Sequence, residues 1–399
     1  MATTVNTDRT RFGALESLRG VAALCVVLYH LDWVNSVTGL NFFRNSFLMV
    51  DFFFVLSGFV IYHSYSTRIE SLVSAGRFVF LRIGRLYPLH FATLMVFLFI
   101  EIAKYIAEVR YGLVANTPAF SVNNASSFFE NFFMVHAWYL QNRPTWNGPS
   151  WSISAEFFAY LSFALVMLVF RRNSRVLPVF SLGLALLCFS YLFDRVGHLD
   201  VFAQDSILRC IAGFYLGVFV YRVRSATVAR LGTGGFDFYL NILLICAFLG
   251  IATLMSVATD NRTDFIQPSL FAVVVLCVSL LPHDYGMNAL LNTRPLRWLG
   301  MVSYSVYMVH QIVLWSATQF LRVVLKVPEN DGLLDAGLLI GNALMLISVI
   351  LILIISHYSF RYIEDRYRRK SREWADKIWT SSATVTQGSV TGRDNLAGD

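Results

Sequence analysis

Ten apolar stretches follow one another along this chain of 399 residues, at roughly 15–34, 47–64, 86–106, 150–170, 176–193, 206–222, 239–258, 267–282, 300–325 and 333–356. Lipid offers the backbone no water, so a segment that crosses it must satisfy its own N–H and C=O groups. Only helices and closed barrels do this, and apolar runs near twenty residues suit helices. The pattern therefore predicts an all-α polytopic membrane bundle of about ten transmembrane helices. Several stretches fall short of twenty residues, which implies tilt or partial burial. Composition agrees: 56% of residues are hydrophobic and 14% charged, whereas soluble domains carry about 25% charge.

The basic residues set the orientation, because Lys and Arg collect on the inner side. With the N-terminus inside, the inner segments hold Arg9, Arg11, Arg19, Arg68, Arg77, Arg82, Arg85, Arg171, Arg172 and Arg175. They also hold most of the basic residues of the C-terminal segment, from Arg361 to Arg393. Both termini are thus expected in the cytosol. The net charge of +7 then reflects topology, and no nucleic-acid partner is expected. The first stretch lacks a small-residue cleavage site and is expected to stay as a span. Cys25, Cys188, Cys210, Cys246 and Cys277 all lie in apolar surroundings without metal-ligand spacing, so inert thiols and no metal are expected.

Three regions fall outside the ten spans. Residues 126–140 are apolar but interrupted by Glu130, Asn131 and His136, which predicts an outer-surface or re-entrant segment. Residues 357–380 are basic and aromatic and are expected on the inner leaflet, drawn by anionic lipid. The small polar stretch after 380 is expected to be disordered. The domain reading is a cytosolic segment at 1–11, a membrane domain at 12–370 and a cytosolic tail at 371–399.

Arg19 and His30 lie in the first span, eleven residues apart. Eleven helical steps return to nearly the same face and cover roughly 16 Å. With Arg19 at the cytosolic surface, His30 comes near mid-membrane. A titratable ring at that depth is a functional candidate by default, and a neutral imidazole can take a proton from an alcohol. Arg82 and Arg85 stand three apart and share a helix face. Two guanidinium forks can grip phosphate oxygens, and Arg19 is expected on the same side. Glu156 falls about seven residues into its span, near the expected depth of His30. A carboxylate there is expected to orient the imidazole and stabilise its charged form. Ser152 lies one turn before it. Asp51, Ser303, Tyr307 and His310 complete the set as supporting residues, with packing and interhelical hydrogen bonds as their expected role.

These pieces resemble the bacterial acyltransferase 3 family of integral-membrane acyltransferases. The resemblance rests on E-S-L-R-G-V-A-A-L-C-V-V-L-Y-H (16–30), V-D-F-F-F-V-L-S-G-F-V-I (50–61), R-I-G-R-L-Y-P (82–88), P-S-W-S-I-S-A-E-F-F-A-Y (149–160), W-L-G-M-V-S-Y-S-V-Y-M-V-H (298–310) and F-R-Y-I-E-D (360–365). Glu16 stands where relatives often have Asp. The resemblance implies the acyltransferase 3 fold and O-acetyl transfer from acetyl-CoA to a sugar hydroxyl of a surface polysaccharide or exopolysaccharide, with no metal. It implies a bacterial inner-membrane location. It assigns Arg19, Arg82 and Arg85 to donor binding and His30 to catalysis, as general base or transient acyl carrier. Glu156 and Ser152 form its serine–glutamate motif. The expected partners are an acyl-CoA donor, a polysaccharide or lipid-linked glycan acceptor, and membrane lipid. Two other functions fit the same layout: acylation of a small molecule such as a macrolide, and transport or flipping of a lipid-linked glycan. Against transport stand few ionisable residues within the spans and no internal repeat.

Overall fold

The structure is a computed structural model. It describes residues 12–391 apart from 116, 139, 141–142, 171–174, 203, 233–234 and 258–260. Arg9, Arg11, Arg171, Arg172 and Arg393 lie outside the described residues.

The chain is helical almost throughout, as lipid-facing backbone requires. In order come α1 (Gly13–Tyr29), α2 (Asn41–Arg44), α3 (Met49–Tyr65), α4 (Leu72–Tyr111), α5 (Ala125–Phe132), α6 (Trp151–Phe170) and α7 (Val176–Arg195). There follow α8 (Ser206–Leu231), α9 (Asp237–Ser256), α10 (Gln267–Leu280), α11 (Gly286–Leu291), α12 (Arg294–Gln319), α13 (Leu338–Ser359) and α14 (Asp365–Thr391). A two-residue hairpin, β1 (Glu329–Asn330) and β2 (Leu333–Leu334), is the sheet among the described residues.

Each of the ten apolar stretches coincides with one long helix. Eight helical stretches are long and apolar enough to cross a membrane. Of the remaining two, α1 has only 17 residues, and α12 carries serines, tyrosines and His310 that lower its hydropathy. The 126–140 segment contains the short α5 and then irregular chain, so it forms no full span.

Two long helices depart from the expected limits. α4 begins at Leu72 and runs for 40 residues, roughly 60 Å at 1.5 Å per residue. Arg77, Arg82 and Arg85 are therefore helical and not part of an inner loop. Ser71 caps the helix, its side chain accepting from the Ser74 N–H while Ser74 returns the bond. Pro88 lies inside α4. Its ring crowds the carbonyl four residues back, which belongs to Gly84, the residue with least bulk to add. At the other end, α13 continues through a π-helical stretch, Phe360–Glu364, into α14. α14 does not stand free on the leaflet but packs along the start of α4. Ala375 is fully buried there, Trp379 meets Phe80, and Arg77 pairs with Asp376 at 2.5 Å. The helix backbone runs on to Thr391, past residue 380, where composition predicts disorder. Extending an established helix costs far less than starting one.

Glycines set the closest helix crossings. A Cβ on Gly20 would lie 2.6 Å from the Gly300 nitrogen, and one on Gly300 would lie 2.2 Å from the Glu16 carbonyl oxygen. α1 and α12 therefore touch backbone to backbone, as small residues permit. They run parallel, since Gly20 faces Gly300 while His30 faces His310. Gly58 of α3 and Gly217 of α8 make a second crossing of this kind, with virtual Cβ atoms 1.8 Å and 1.9 Å from Phe214 and Val55 carbonyl oxygens.

Candidate active site

α1, α3, α4, α6 and α12 surround a column of polar side chains. It begins with Arg19, two turns inside α1. Its Nε donates to Ser303 Oγ at 2.7 Å and its Nη2 to the Gly300 carbonyl at 3.0 Å. Both partners belong to α12, brought within reach by the glycine crossing. Arg19 is thus fixed inside the bundle and does not snorkel to a membrane surface, as its place near the start of the first span had predicted. Ser303 accepts the Arg19 bond across the two helices.

The two arginines of R-I-G-R differ sharply. Arg82 is buried, donates to the Tyr65 hydroxyl at 2.7 Å, and stacks over the Tyr65 ring at 4.9 Å. Arg85 is half-buried and makes no hydrogen bond or ion pair among the described residues. Its charge interacts with those of Arg19, Glu16, Glu156 and Glu364. The arginines therefore do not form a uniform clamp: Arg82 is held by aromatic neighbours, and Arg85 is free to take a ligand.

Glu156 lies next along the column. Its Oε1 accepts from Ser57 Oγ at 2.5 Å and from the Tyr160 hydroxyl at 2.6 Å. No hydrogen bond joins it to His30 among the described residues, so the expected Glu156–His30 pair is not made. Depth along a helix does not identify the neighbour: Ser57 of α3 and Tyr160 of α6 itself take the carboxylate instead. Ser152 also goes elsewhere: its hydroxyl meets the Tyr307 hydroxyl at 2.8 Å, and Tyr307 donates to the Pro149 carbonyl at 3.0 Å. Phe53 packs edge-on against Tyr307, ring centroids 5.7 Å apart.

His30 and His310 form the far end. α1 ends at Tyr29, and His30 closes it as its C-cap. The apolar run continues to residue 34 as extended chain, which pairs Trp33 with Leu334. His30 Nδ1 lies 2.8 Å from the Val26 carbonyl, and His310 Nδ1 lies 3.3 Å from the Val306 carbonyl. A carbonyl only accepts, so Nδ1 carries the proton in each ring and Nε2 keeps the lone pair. His310 Nε2 is buried without a hydrogen-bond partner.

Asp51 is not part of this column. Both its oxygens accept from Arg209, at 3.0 and 2.8 Å, and the pair is fully buried. Two backbone carbonyls, of Val201 and Phe47, take further Arg209 N–H groups. This is a structural pairing of α3 with α8.

Sequence reading missed four residues of the column. Ser57 was legible only as a small neighbour of Gly58. Tyr65 and Tyr160 gave no polar signal in aromatic surroundings. Glu364 is buried in the π-helical stretch, accepts from Ser305 Oγ at 3.0 Å and acts on Arg19 and Arg85. The closing motif F-R-Y-I-E-D contains it, and π-helical turns gather at functional sites.

Arg19, Ser57, Arg85 and Glu156 face one another deep within the bundle yet remain half-buried. Their residual accessible surface marks a cleft between the helices, in a column with arginines at one end and imidazoles at the other. A surface recess of about 250 Å³ lies elsewhere, between α8 and α9, with Asp237 as its single carboxylate.

A helical bundle with eight stretches long and apolar enough to cross a membrane, and a column of polar side chains inside it, defines a polytopic membrane protein. The model of the acyltransferase domain matches residues 12–359, and the chain belongs to that family, the acyltransferase 3 family. The peptidoglycan O-acetyltransferase OatA of Listeria monocytogenes is 24% identical over 92% of this chain and 58% of its own. The putative peptidoglycan O-acetyltransferase YrhL of Bacillus subtilis is 24% identical over 94% of this chain and 59% of its own. A putative membrane-bound transacylase, BcsY of Komagataeibacter xylinus, is 24% identical over 85% and 81%. The chain thus spans under two thirds of the length of the two O-acetyltransferases. No solved structure matches.

Proposed function

We propose that this protein transfers an acetyl group from acetyl-CoA to a hydroxyl of a cell-envelope glycan. Both termini are on the cytosolic side of a bacterial inner membrane. One observation carries the reading: in an acyltransferase-family bundle a column of polar side chains runs from Arg85, a guanidinium with no hydrogen bond or ion pair among the described residues, to His30, an imidazole whose Nε2 is left as a base. The likeness to peptidoglycan O-acetyltransferases favours a glycan acceptor over a small molecule.

Arg19 and Arg85 take the donor phosphates, with Arg82 behind them. The thioester then extends towards His30, along a path comparable to the Arg19–His30 spacing of roughly 16 Å. The acceptor hydroxyl approaches from the opposite side. His30 Nε2 removes its proton as the oxygen attacks the thioester carbonyl. The C–S bond breaks, and the leaving thiolate takes the proton back from the imidazolium. A variant of the same chemistry passes the acetyl group through His30 Nε2 before the acceptor arrives. Tyr307 and Ser152 keep the α6–α12 wall closed beside the reacting groups.

The test is transfer of label from acetyl-labelled acetyl-CoA to a glycan by purified protein in liposomes. The expected result is label on the glycan with the parent and a loss of about 10²–10⁴-fold for His30→Ala, the usual worth of a positioned base. Equal rates for parent and variant overturn the assignment. Glycan that crosses the membrane unlabelled points to transport.

A further inference from the structure

Glu156 has one oxygen in use and one at rest. Ser57 and Tyr160 both donate to Oε1. Among the described residues Oε2 takes no hydrogen bond, and it keeps accessible surface. Glu156 itself is half-buried and lines the cleft. No ion pair joins it to Arg85 among the described residues. A carboxylate oxygen inside a bundle calls for a donor, and the protein supplies none.

Its place along the cleft identifies that donor. Glu156 acts on the charges of Arg19 and Arg85 and also on Tyr307, so it lies between the arginines and the imidazoles. Ser152, one turn away on α6, bonds Tyr307, and His310 follows one turn beyond Tyr307 on α12. Two helical turns, about 11 Å, therefore separate Glu156 from the level of the imidazoles. A donor with its phosphates on Arg19 and Arg85 and its thioester at His30 passes Glu156 with the middle of its pantetheine arm. That stretch carries an amide N–H that must leave water to enter the cleft. The walls here are Tyr160, Tyr304, Phe53 and Tyr307, and the tyrosine hydroxyls are already engaged with Glu156, the Leu86 carbonyl, Ser152 and the Pro149 carbonyl.

We infer that Glu156 is a donor-binding residue whose free oxygen accepts the outer amide N–H of the pantetheine arm, the one between its pantoyl and β-alanyl units, with Ser57 and Tyr160 as positioning residues. This rests on the acyl-CoA reading above. It removes Glu156 from the proton-transfer step, where sequence spacing alone had put it.

Three donors separate the possibilities: acetyl-CoA, acetyl-pantetheine, which keeps both amides and loses the nucleotide, and the acetyl thioester of N-acetylcysteamine, which keeps the amide beside the thiol and loses the outer one. Glu156→Gln should raise KM roughly tenfold for the first two, as loss of a charged hydrogen bond does. It should leave the third unchanged, along with the pH profile of kcat. Tyr160→Phe, which frees the carboxylate without removing it, should shift the same two donors less. Detergent-solubilised variants that keep the parent melting temperature serve as the folding control.

An equal loss on all three donors with an altered pH profile makes Glu156 a partner of the base and overturns the inference. So does a raised KM for the glycan with unchanged donor KM. A parent protein that transfers acetyl from none of the donors refutes the acyltransfer reading itself, a different result from either.

Discussion

His30 and His310 place their rings 5.0 Å apart, centroid to centroid, and each ring is tied through Nδ1 to the carbonyl four residues before it. Two helices thus present imidazoles in the same tautomer, with their basic nitrogens spared from protein contacts. The pairing follows from the parallel run of α1 beside α12, which the glycine crossing two to three turns away sets in register. His30 alone keeps accessible surface; His310 is fully buried. The two rings therefore differ in access, and under the proposed function His30 is the one that meets substrate while His310 backs it.

His30→Gln should abolish acetyl transfer, while His310→Gln should leave a slow enzyme. A glutamine at 310 keeps polarity and much of the ring's length but not its rigid shape. Its expected cost is about tenfold in kcat, against about 10²–10⁴ for loss of the base. Initial rates at saturating acetyl-CoA check the ranking, and a larger loss at 310 than at 30 would reverse the two roles.

The arginines of R-I-G-R should separate by assay. Arg82 is embedded between Tyr65, Phe78 and Tyr160, so Arg82→Ala should lower the melting temperature through lost packing. Arg85 has no hydrogen bond to lose among the described residues, so Arg85→Ala should leave melting unchanged and raise KM for acetyl-CoA by roughly 10–100-fold, as for a charged contact. Melting curves and donor titrations on both variants decide it. Added salt should weaken donor binding less in Arg85→Ala than in the parent.

Much of this was legible in the sequence. Apolar runs mark the ten long helices, since lipid leaves the backbone no alternative. The eleven-residue spacing of Arg19 and His30 correctly gives a shared side of α1. What spacing could not supply is neighbours. Glu156 and His30 come from different helices, and their contact depends on helix rotation, which interlocking glycines decide at Gly20, Gly300, Gly58 and Gly217. Asp51 shows the same limit: a carboxylate near a span end reads as available until Arg209, from a helix 158 residues later in sequence, is folded against it. Glu364 escaped notice because its approach to Arg85 requires the bend of a π-helical stretch that hydropathy does not register.

Asp51 and Arg209 should matter for stability more than for chemistry. Each is buried, and each satisfies the other through two hydrogen bonds. Asp51→Asn leaves a guanidinium in a dry place without its counter-charge, a change that costs about 3–5 kcal/mol in comparable pairs. The expected outcome is a marked fall in melting temperature and in yield from the membrane. The protein that does fold should keep its KM for acetyl-CoA, because Asp51 borders no part of the cleft. A raised donor KM at normal melting temperature would place Asp51 in the site after all.

Gly300→Ala should uncouple structure from chemistry at the donor end. The added methyl would sit 2.2 Å from the Glu16 carbonyl oxygen and 2.8 Å from the Ser17 nitrogen, backbone atoms that cannot rotate away. α1 must then move off α12 or tilt against it. Arg19 is held by Ser303 Oγ and by the Gly300 carbonyl itself, so a shift of α1 by even an ångström loosens both bonds. Backbone overpacking of this kind costs about 1–3 kcal/mol, which a membrane bundle can survive. The measurable result should be a folded protein with a raised KM for acetyl-CoA and a lowered kcat, since the same helix carries His30. Gly183→Ala supplies the control: a Cβ there meets nothing within 4 Å, and alanine favours the helix by about 1 kcal/mol, so its kinetics should match the parent. If Gly300→Ala is equally silent, the close crossing does not set the registry of Arg19 and His30.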